Sequence, residues 1–495
     1  MEYYLGVDIG TTSVKVVAFS TTGKALFVQL GFYKMYHPQP DQSEQNPEEV
    51  FTAVTDACNK IYGLMEKVAP KFVAFCSAMH SVMAIDESGK PLTNCIIWAD
   101  NRASAIAEGL HASHKAKQYY MATGVPVHAM TPLCKLLWLK KNEPEIYSKS
   151  QKFIGIKEYI FHKLTGQYLI DTSVASATGF LNLAALQWDE GILHELDLND
   201  SSFSELVPTK QIVALKKSTQ IASQFWLPDG INLIIGGSDG ALANLGAGGA
   251  DGETLVVTIG TSSAARIITN NIKLDSSMRT FCYHITDEMY VVGGPGNNGA
   301  IVLEWFKTLI LETSESYDEL FAKAATIEPG CDGLLMLPYL LGERAPLWNS
   351  NAKGVFFGLS INHTQSHMIR ACMEGVIFGL YSIAKIILEK RKVKGIYATG
   401  GFSQSHLWLQ MLADMCNMEV SVSGSGESSA LGAVMLGIEA LHLQPLPVLP
   451  FVADCTPNVA NHIIYKSNFE KFEKIIVALE VMWKGSPVAN ELLLV

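Results

Sequence analysis

The stretch Tyr4-Leu-Gly-Val-Asp-Ile-Gly-Thr-Thr-Ser-Val-Lys15 runs from an apolar strand into a glycine turn crowded with hydroxyls. Asp8 stands where a buried strand should be ending. Gly10 is followed by three hydroxyl residues, Thr11, Thr12 and Ser13, and Lys15 adds a cation two positions further on. Backbone N–H groups, hydroxyls and an ammonium in one turn make an anion cradle. It is not a Walker loop, because GxxxxGK followed by Ser or Thr occurs nowhere in the chain. Taken alone it also fits a plain hairpin turn, with Asp8 bonding its own loop.

The same pattern returns. Val7-Asp-Ile-Gly-Thr-Thr-Ser13 recurs as Val257-Thr-Ile-Gly-Thr-Ser-Ser263, with five of seven positions identical. Each copy follows an apolar run and precedes another, as the turn of a hairpin does. Two halves of similar construction are expected, each offering a loop to a polyphosphate: Thr11, Thr12, Ser13 and Lys15 from one, Gly260, Thr261, Ser262 and Ser263 from the other. A nucleotide of this kind brings Mg²⁺, a hard cation that a strand-end carboxylate anchors directly or through water, and this gives Asp8 a role.

The surrounding pattern is α/β. Apolar residues at helical spacing predict a helix over 47–68, started by Asn46 and Pro47, and 72–76 reads as a buried strand. Strand-to-helix passages recur at 233–245, 395–416 and 419–443, so mixed sheets covered by helices are the expected architecture. The glycine-rich Gly246-Ala-Gly-Gly-Ala-Asp-Gly-Glu253 places a domain boundary at 247/248, giving domains 1–247 and 248–495, with a closing helix at 468–483. A chain of 495 residues is long enough for two such cores.

Composition narrows the partners. A net charge of −11 argues against nucleic acid and anionic membranes, which are bound mainly by clustered Lys and Arg. Nine widely spaced cysteines with no CxxC pair fit reduced thiols and imply no structural zinc. With no basic-then-apolar leader and no run approaching the roughly 18 apolar residues of a membrane span, a cytoplasmic protein is expected.

Leu233-Ile-Ile-Gly-Gly-Ser-Asp-Gly-Ala241 holds two rival chemistries. Gly236-x-Ser238-x-Gly240 fits the nucleophile elbow of a serine hydrolase, whereas Asp239, on a turn at a strand end, fits a general base. The hydrolase reading lacks an HGGG-type oxyanion loop upstream and leaves the paired loops unexplained, so Asp239 is favoured. Gly294-x-Gly296-x-x-Gly299 matches a dinucleotide fingerprint, but the supporting acid that should end a second strand is missing. Gly299 is therefore read as part of a nucleotide-facing turn. Ala398-Thr-Gly-Gly-Phe-Ser-Gln-Ser405 joins strand to helix through Gly400 and Gly401, which suits either a flat adenosine or a tight connection. Cys76-Ser-Ala-Met-His80 and Ile96-Ile-Trp-Ala-Asp-Asn-Arg102 each end a strand, so His80, Trp98, Asp100 and Arg102 either share a cleft or serve as structural histidine and ion pair. His363 and His367 are read as surface residues.

With these pieces assembled the chain resembles the FGGY carbohydrate kinases of the sugar kinase, heat-shock protein 70 and actin superfamily. Met130-Thr-Pro-Leu-Cys-Lys135-Leu-Leu-Trp138-Leu-Lys-Lys-Asn142 is similar to one family signature, and Gly354-Val-Phe-Phe-Gly358-Leu through His367, Ala371 and Glu374 to the other, with Cys372 where a small or aliphatic residue is usual. The resemblance implies two actin-like, ribonuclease H-like domains around a central cleft. It implies ATP phosphates held by Thr11, Thr12 and Thr261, adenine near Gly400, Gly401 and Ser405, Asp239 as base, and Asp8 and Asp239 serving Mg²⁺. Met79, His80 and Trp98 then line the sugar site. The stretches 44–49, 77–82, 98–102, 154–161 and 341–349 look most like family members acting on sugar acids. D-gluconate converted to 6-phosphogluconate is the implied reaction. Met79-His80 stands where glycerol-specific members carry Arg-Glu, while pentulose kinases share it and remain the close alternative. Arg102, Lys157, Arg344 and His80 are candidate partners for the acid's carboxylate. A homodimer is compatible with the resemblance.

Overall fold

Strand β1 (Tyr3–Ile9) has every residue but Asp8 buried, the mark of a strand covered on both faces. The computed structural model describes residues 1–216, 224–422, 426–447 and 452–483. β1 pairs antiparallel with β2 (Ser13–Ser20), which pairs antiparallel with β3 (Ala25–Phe32). The helix α1 (Pro47–Leu64) follows, capped by the Asn46 side chain, which accepts from the amides of Glu48 and Glu49. It stops short of the expected Val68 because Glu66 and Lys67 turn into the left-handed region. β4 (Val73–Ser77) then runs parallel to β1.

Further along, α2 (Pro132–Asn142) and α3 (Thr172–Ser176) start on the side-chain caps Thr131 and Asp171. β5 (Ile212–Ala214) pairs antiparallel with β6 (Asn232–Ser238), and β6 lies parallel to β4. The resulting six-stranded sheet has the order β5-β6-β4-β1-β2-β3. Helix α4 (Asp239–Gly246) leaves directly from the end of β6.

A second sheet repeats the construction. β7 (Thr254–Ile259) forms a hairpin with β8 (Ser263–Thr269), with β9 (Met289–Gly296) beside β8. The fingerprint glycines Gly294 and Gly296 lie inside β9 rather than in a turn after it, which removes the dinucleotide reading. β9 is followed by a short α5 (Ile301–Trp305) and then a π-turn over Phe306–Ile310. Helix α6 (Gln365–Leu388) leads to β10 (Gly395–Thr399), which runs parallel to β7, then to α7 (His406–Cys416) and β11 (Val420–Val422). Both copies of the repeated heptapeptide therefore span a hairpin whose first strand has a parallel neighbour on its other side.

By length and composition α6 is apolar enough to cross a bilayer. Its Ile369, Met373, Val376 and Leu380 are nonetheless buried in the protein, and Arg370 and Glu374 pair along it, so it serves as a core helix. The His363 and His367 reading needs correction. His367 is buried, and its Nδ1 receives the Thr364 amide at the start of α6.

The chain then reaches α8 (Ser428–Ala440) and α9 (Val459–Trp483); α9 begins well before the expected residue 468. Two compact units result. One holds Met1–Ala250, Ile268–Val292 and Glu427–Leu449; the other holds Asp251–Ile267, Gly293–Gly426 and Pro450–Val495.

In the first unit, Leu5, Val7 and Ile9 pack with α1 residues Val50, Val54 and Ile61. Tyr4 packs instead with Ala430, Ala433 and Val434 of α8. Side chains alternate along a strand, so Asp8 shares the α8 face with Tyr4 and Gly6. Each fully buried aliphatic side chain contributes roughly 1.5–3 kcal/mol. Two glycines bring α8 and α4 together: a Cβ on Gly246 would lie 2.0 Å from the Ser428 carbonyl oxygen, and one on Gly432 would lie 2.1 Å from that of Leu242. Helix α4, with Asp239 at its first position, is thereby locked to α8.

Candidate functional site

Three parallel strands of the first unit, β1, β4 and β6, end side by side. The register places Asp8 against Cys76 and Cys76 against Gly237, and Ser77 pairs with both Ile9 and Ser238. The carboxyl ends of parallel strands are where α/β sheets bind ligands. Asp8 sits one residue before the end of β1, and Asp239 follows the last residue of β6 as the first residue of α4. A helix N-terminus favours a carboxylate there.

The Asp8 carboxyl is pushed up to about 7, first by burial and next by the charge of Asp239, while the Cys76 thiol and the Lys15 ammonium act to lower it. Its Oδ1 is sealed from solvent with no hydrogen-bond partner. A divalent cation supplies what this oxygen lacks and favours the ionised form. Among the described residues no group of three or more His, Cys, Asp or Glu forms a metal cage. That donor set fits Mg²⁺, which is held by one or two carboxylates, waters and substrate phosphates.

The loop from Gly10 to Ser13 is held by its carbonyls. Tyr33 donates its hydroxyl to Gly10 O at 2.7 Å, Gln45 Nε2 donates to Thr11 O at 2.6 Å, and the Tyr33 amide donates to Thr12 O. Carbonyl oxygens facing a phosphate would repel it, so engaging them elsewhere suits an anion loop. Trp98 Nε1 donates to Thr11 Oγ1 at 2.8 Å, joining a predicted sugar-site residue to a predicted phosphate-loop residue. Thr12 is exposed, Ser13 is half-buried, and Lys15 forms an ion pair of 2.7 Å with Glu427, the residue before α8.

His80 is buried in the left-handed region at φ 69°, with Nδ1 at 2.8 Å from the Ala177 carbonyl oxygen. Met79 is half-buried beside it. Arg102 resolves toward the structural reading: it bonds Asp100 through Nε and Nη2, reaches Glu44 at 2.6 Å, and is itself nearly buried. Lys157, another carboxylate candidate, is buried against Asp171 at 2.6 Å and donates to Gly237 O. Ser238 is fully buried, with its Oγ at 3.1 Å from that of Ser173. This removes the nucleophile reading, since an elbow must present its hydroxyl to substrate. Gly236 serves a β-bulge instead, at φ 65° between the paired positions Ile234 and Gly237.

In the second unit, the amides of Gly299 and Ala300 donate to Thr261 O and Gly260 O, at 3.1 and 2.7 Å. Gly299 lies so close to this loop that a Cβ would be 2.5 Å from the carbonyl oxygens of Gly260 and Ser262. Gly400, at φ 92°, approaches Ile259 equally closely, whereas a Cβ on Gly401 would meet nothing within 4 Å. Ser405 caps α7 by accepting from the Trp408 amide. Arg344 donates to Gly296 O in the same unit.

Cys76 and Glu427 both escaped the sequence reading. Cys76, whose thiol bonds Asp8, lies in a quoted strand but reads there as one more apolar residue. Glu427 carries no local signal, because its contact with Lys15 arises only from the return of 427–449 to the first unit.

Comparison with known proteins shows the family. The N-terminal domain profile of the FGGY family of carbohydrate kinases matches residues 3–246, and the C-terminal domain profile matches residues 255–441. A gluconokinase of Bacillus subtilis is 45% identical over 450 residues, 89% of this chain and 88% of that protein. Two solved structures from Lactobacillus acidophilus, described as gluconate kinase and as ligand-bound xylulose kinase, are each 33% identical with a TM-score of 0.91. They cover 97% and 98% of this chain, respectively, and 99% of their own lengths.

Proposed function

The chain belongs to the FGGY family of carbohydrate kinases, and on that premise we propose that it phosphorylates D-gluconate with ATP, giving 6-phosphogluconate and ADP. The observation that carries the site assignment is the meeting of Asp8, Asp239 and the Gly10–Ser13 loop at the carboxyl ends of three adjacent strands. The gluconokinase of Bacillus subtilis, at 45% identity, favours gluconate over a pentulose.

In this reading Met79, His80 and Trp98 line the acceptor site. Asp239 takes the proton of the C6 hydroxyl, and O6 attacks the γ-phosphorus in line. The bond from that phosphorus to the β–γ bridging oxygen breaks, and ADP leaves. Phosphoryl transfer is largely dissociative, so alignment and charge neutralisation do most of the work. Thr11, Thr12, Ser13 and Lys15 take phosphate oxygens on the first unit. Gly260, Thr261 and Gly299 are their counterparts on the second, where Gly400, Gly401 and Ser405 receive the adenosine. Asp8 and Asp239 would hold Mg²⁺, which would supply neutralisation of phosphate charge. Nine free and buried cysteines support a reducing, cytoplasmic setting.

A coupled ADP-release assay with gluconate, xylulose, ribulose and glycerol tests the proposal. Gluconate is expected to give the highest kcat/KM; a higher value for xylulose overturns the substrate assignment and leaves the kinase reading in place.

A further inference from the structure

The acceptor site proposed above draws on two separate segments, Met79-His80 after β4 and Trp98 after the short strand Cys95–Ile96. They are bridged once, where the amides of Val82 and Ile96 donate to each other's carbonyl oxygens at 3.0 and 2.8 Å. That bridge lies beyond His80 on one segment and before Trp98 on the other. It does not fix the backbone of His80, which sits in a region that residues with side chains rarely adopt.

Lys135 reaches this point from another element. It lies in the first turn of α2, fully buried, on a helix started by Pro132 and capped by the Thr131 hydroxyl. Its Nζ donates to His80 O at 2.6 Å and leans toward Ile96 O at 3.5 Å. An ammonium in that position is costly unless something offsets its desolvation. Burial pushes Lys135 down to about 7, and Asp100, fully buried, is the largest charge opposing that fall; its carboxylate is itself fixed by the Ser43 amide and by Arg102. The charges around Lys135 are therefore Asp100 in its favour and Arg102 against it, with Cys95 and Cys134 close by.

From this arrangement we infer that Lys135 is a positioning residue for the acceptor sugar: its Nζ donor holds the His80 carbonyl, and through it the Met79-His80 turn, in register with the segment that carries Trp98. This rests on the reading of Met79, His80 and Trp98 as the acceptor site. The geometry requires Lys135 to touch no substrate itself. A side chain with no donor at its tip releases the His80 carbonyl, and the left-handed turn relaxes. Misplacing a binding group by about 1 Å costs up to about a hundredfold in rate.

The experiment compares wild type with Lys135→Met, which keeps the apolar stem, and Lys135→Gln, which keeps a shorter donor. Hydrogen exchange is followed by mass spectrometry without sugar, and KM is measured separately for the acceptor and for ATP. Lys135→Met is expected to speed exchange in 78–82 and 96–98 together. It should raise the acceptor KM about ten- to a hundredfold and leave the KM for ATP within about threefold. Lys135→Gln should fall between, and it serves alone if the Met variant does not fold. Unchanged exchange in 78–82 overturns the inference, whichever sugar the enzyme turns over. Faster exchange at 78–82 with no change in the acceptor KM places the fault in the acceptor-site reading rather than in the role of Lys135 as a brace.

Discussion

The indole N–H of Trp98 donates to the hydroxyl oxygen of Thr11 at 2.8 Å, so the acceptor segment and the phosphate loop of the first unit share one hydrogen bond. The loop proposed to bind phosphate and the aromatic proposed to line the acceptor site are therefore not independent parts.

The expected consequence is non-additivity. A hydrogen bond of this kind contributes about 1 kcal/mol net, so Trp98→Phe and Thr11→Ala should each lower kcat/KM for the acceptor about fivefold. The double variant should lose little more than the worse single one, because both remove the same bond. Fully additive losses in the double-mutant cycle would show that the two side chains act separately.

Asp8 makes stability depend on pH in a defined direction. Its folded-state pKa of about 7 lies above the 3.8 of an ordinary aspartate, so between those values the folded chain binds more protons than the unfolded one. Stability from this group is present at low pH and is lost as pH rises toward and through 7. Glu158 and Glu343 are also pushed up to about 7, chiefly by burial, and contribute slopes of the same sign. Subtracting the melting curves of Asp8→Asn from those of wild type isolates Asp8. The variant should gain in relative Tm from pH 5 to pH 8 when no nucleotide is present, and added Mg-ATP should narrow the gap. A difference that stays constant with pH would contradict the raised pKa.

Gly236 forms the bulge in the strand that ends just before Asp239. At φ 65°, with a Cβ position only 1.7 Å from the Phe75 carbonyl oxygen, it accepts no side chain without moving β4. Gly236→Ala should cost at least about 2 kcal/mol, combining backbone strain with displacement of a core strand. Thermal melting and residual turnover report both effects; a variant with wild-type Tm and activity would show that the bulge is dispensable.

The hairpin-with-glycine-turn pattern was legible because it is local: Ile9-Gly10-Thr11 and Ile259-Gly260-Thr261 each fix a strand end and a turn within a few residues. Asp239 was legible for the same reason, standing between a continuous apolar run and a helix start. Arg102 was ambiguous, since its spacing from Asp100 fits a cleft and an ion pair equally; Glu44, 58 positions away, decides for the ion pair. Glu427 and Lys135 were out of reach because their contacts, with Lys15 and with the His80 carbonyl, join residues 412 and 55 positions apart. The short end of α1 came from two consecutive left-handed residues, Glu66 and Lys67, which no periodicity announces.

The most direct test of the central claim is the steady-state turnover of gluconate by Asp239→Asn, set beside its affinity for Mg-ATP. If Asp239 is the base, kcat should fall by about 10²–10⁴ while the dissociation constant for Mg-ATP stays within about threefold of wild type. Turnover within tenfold of wild type would contradict the assignment.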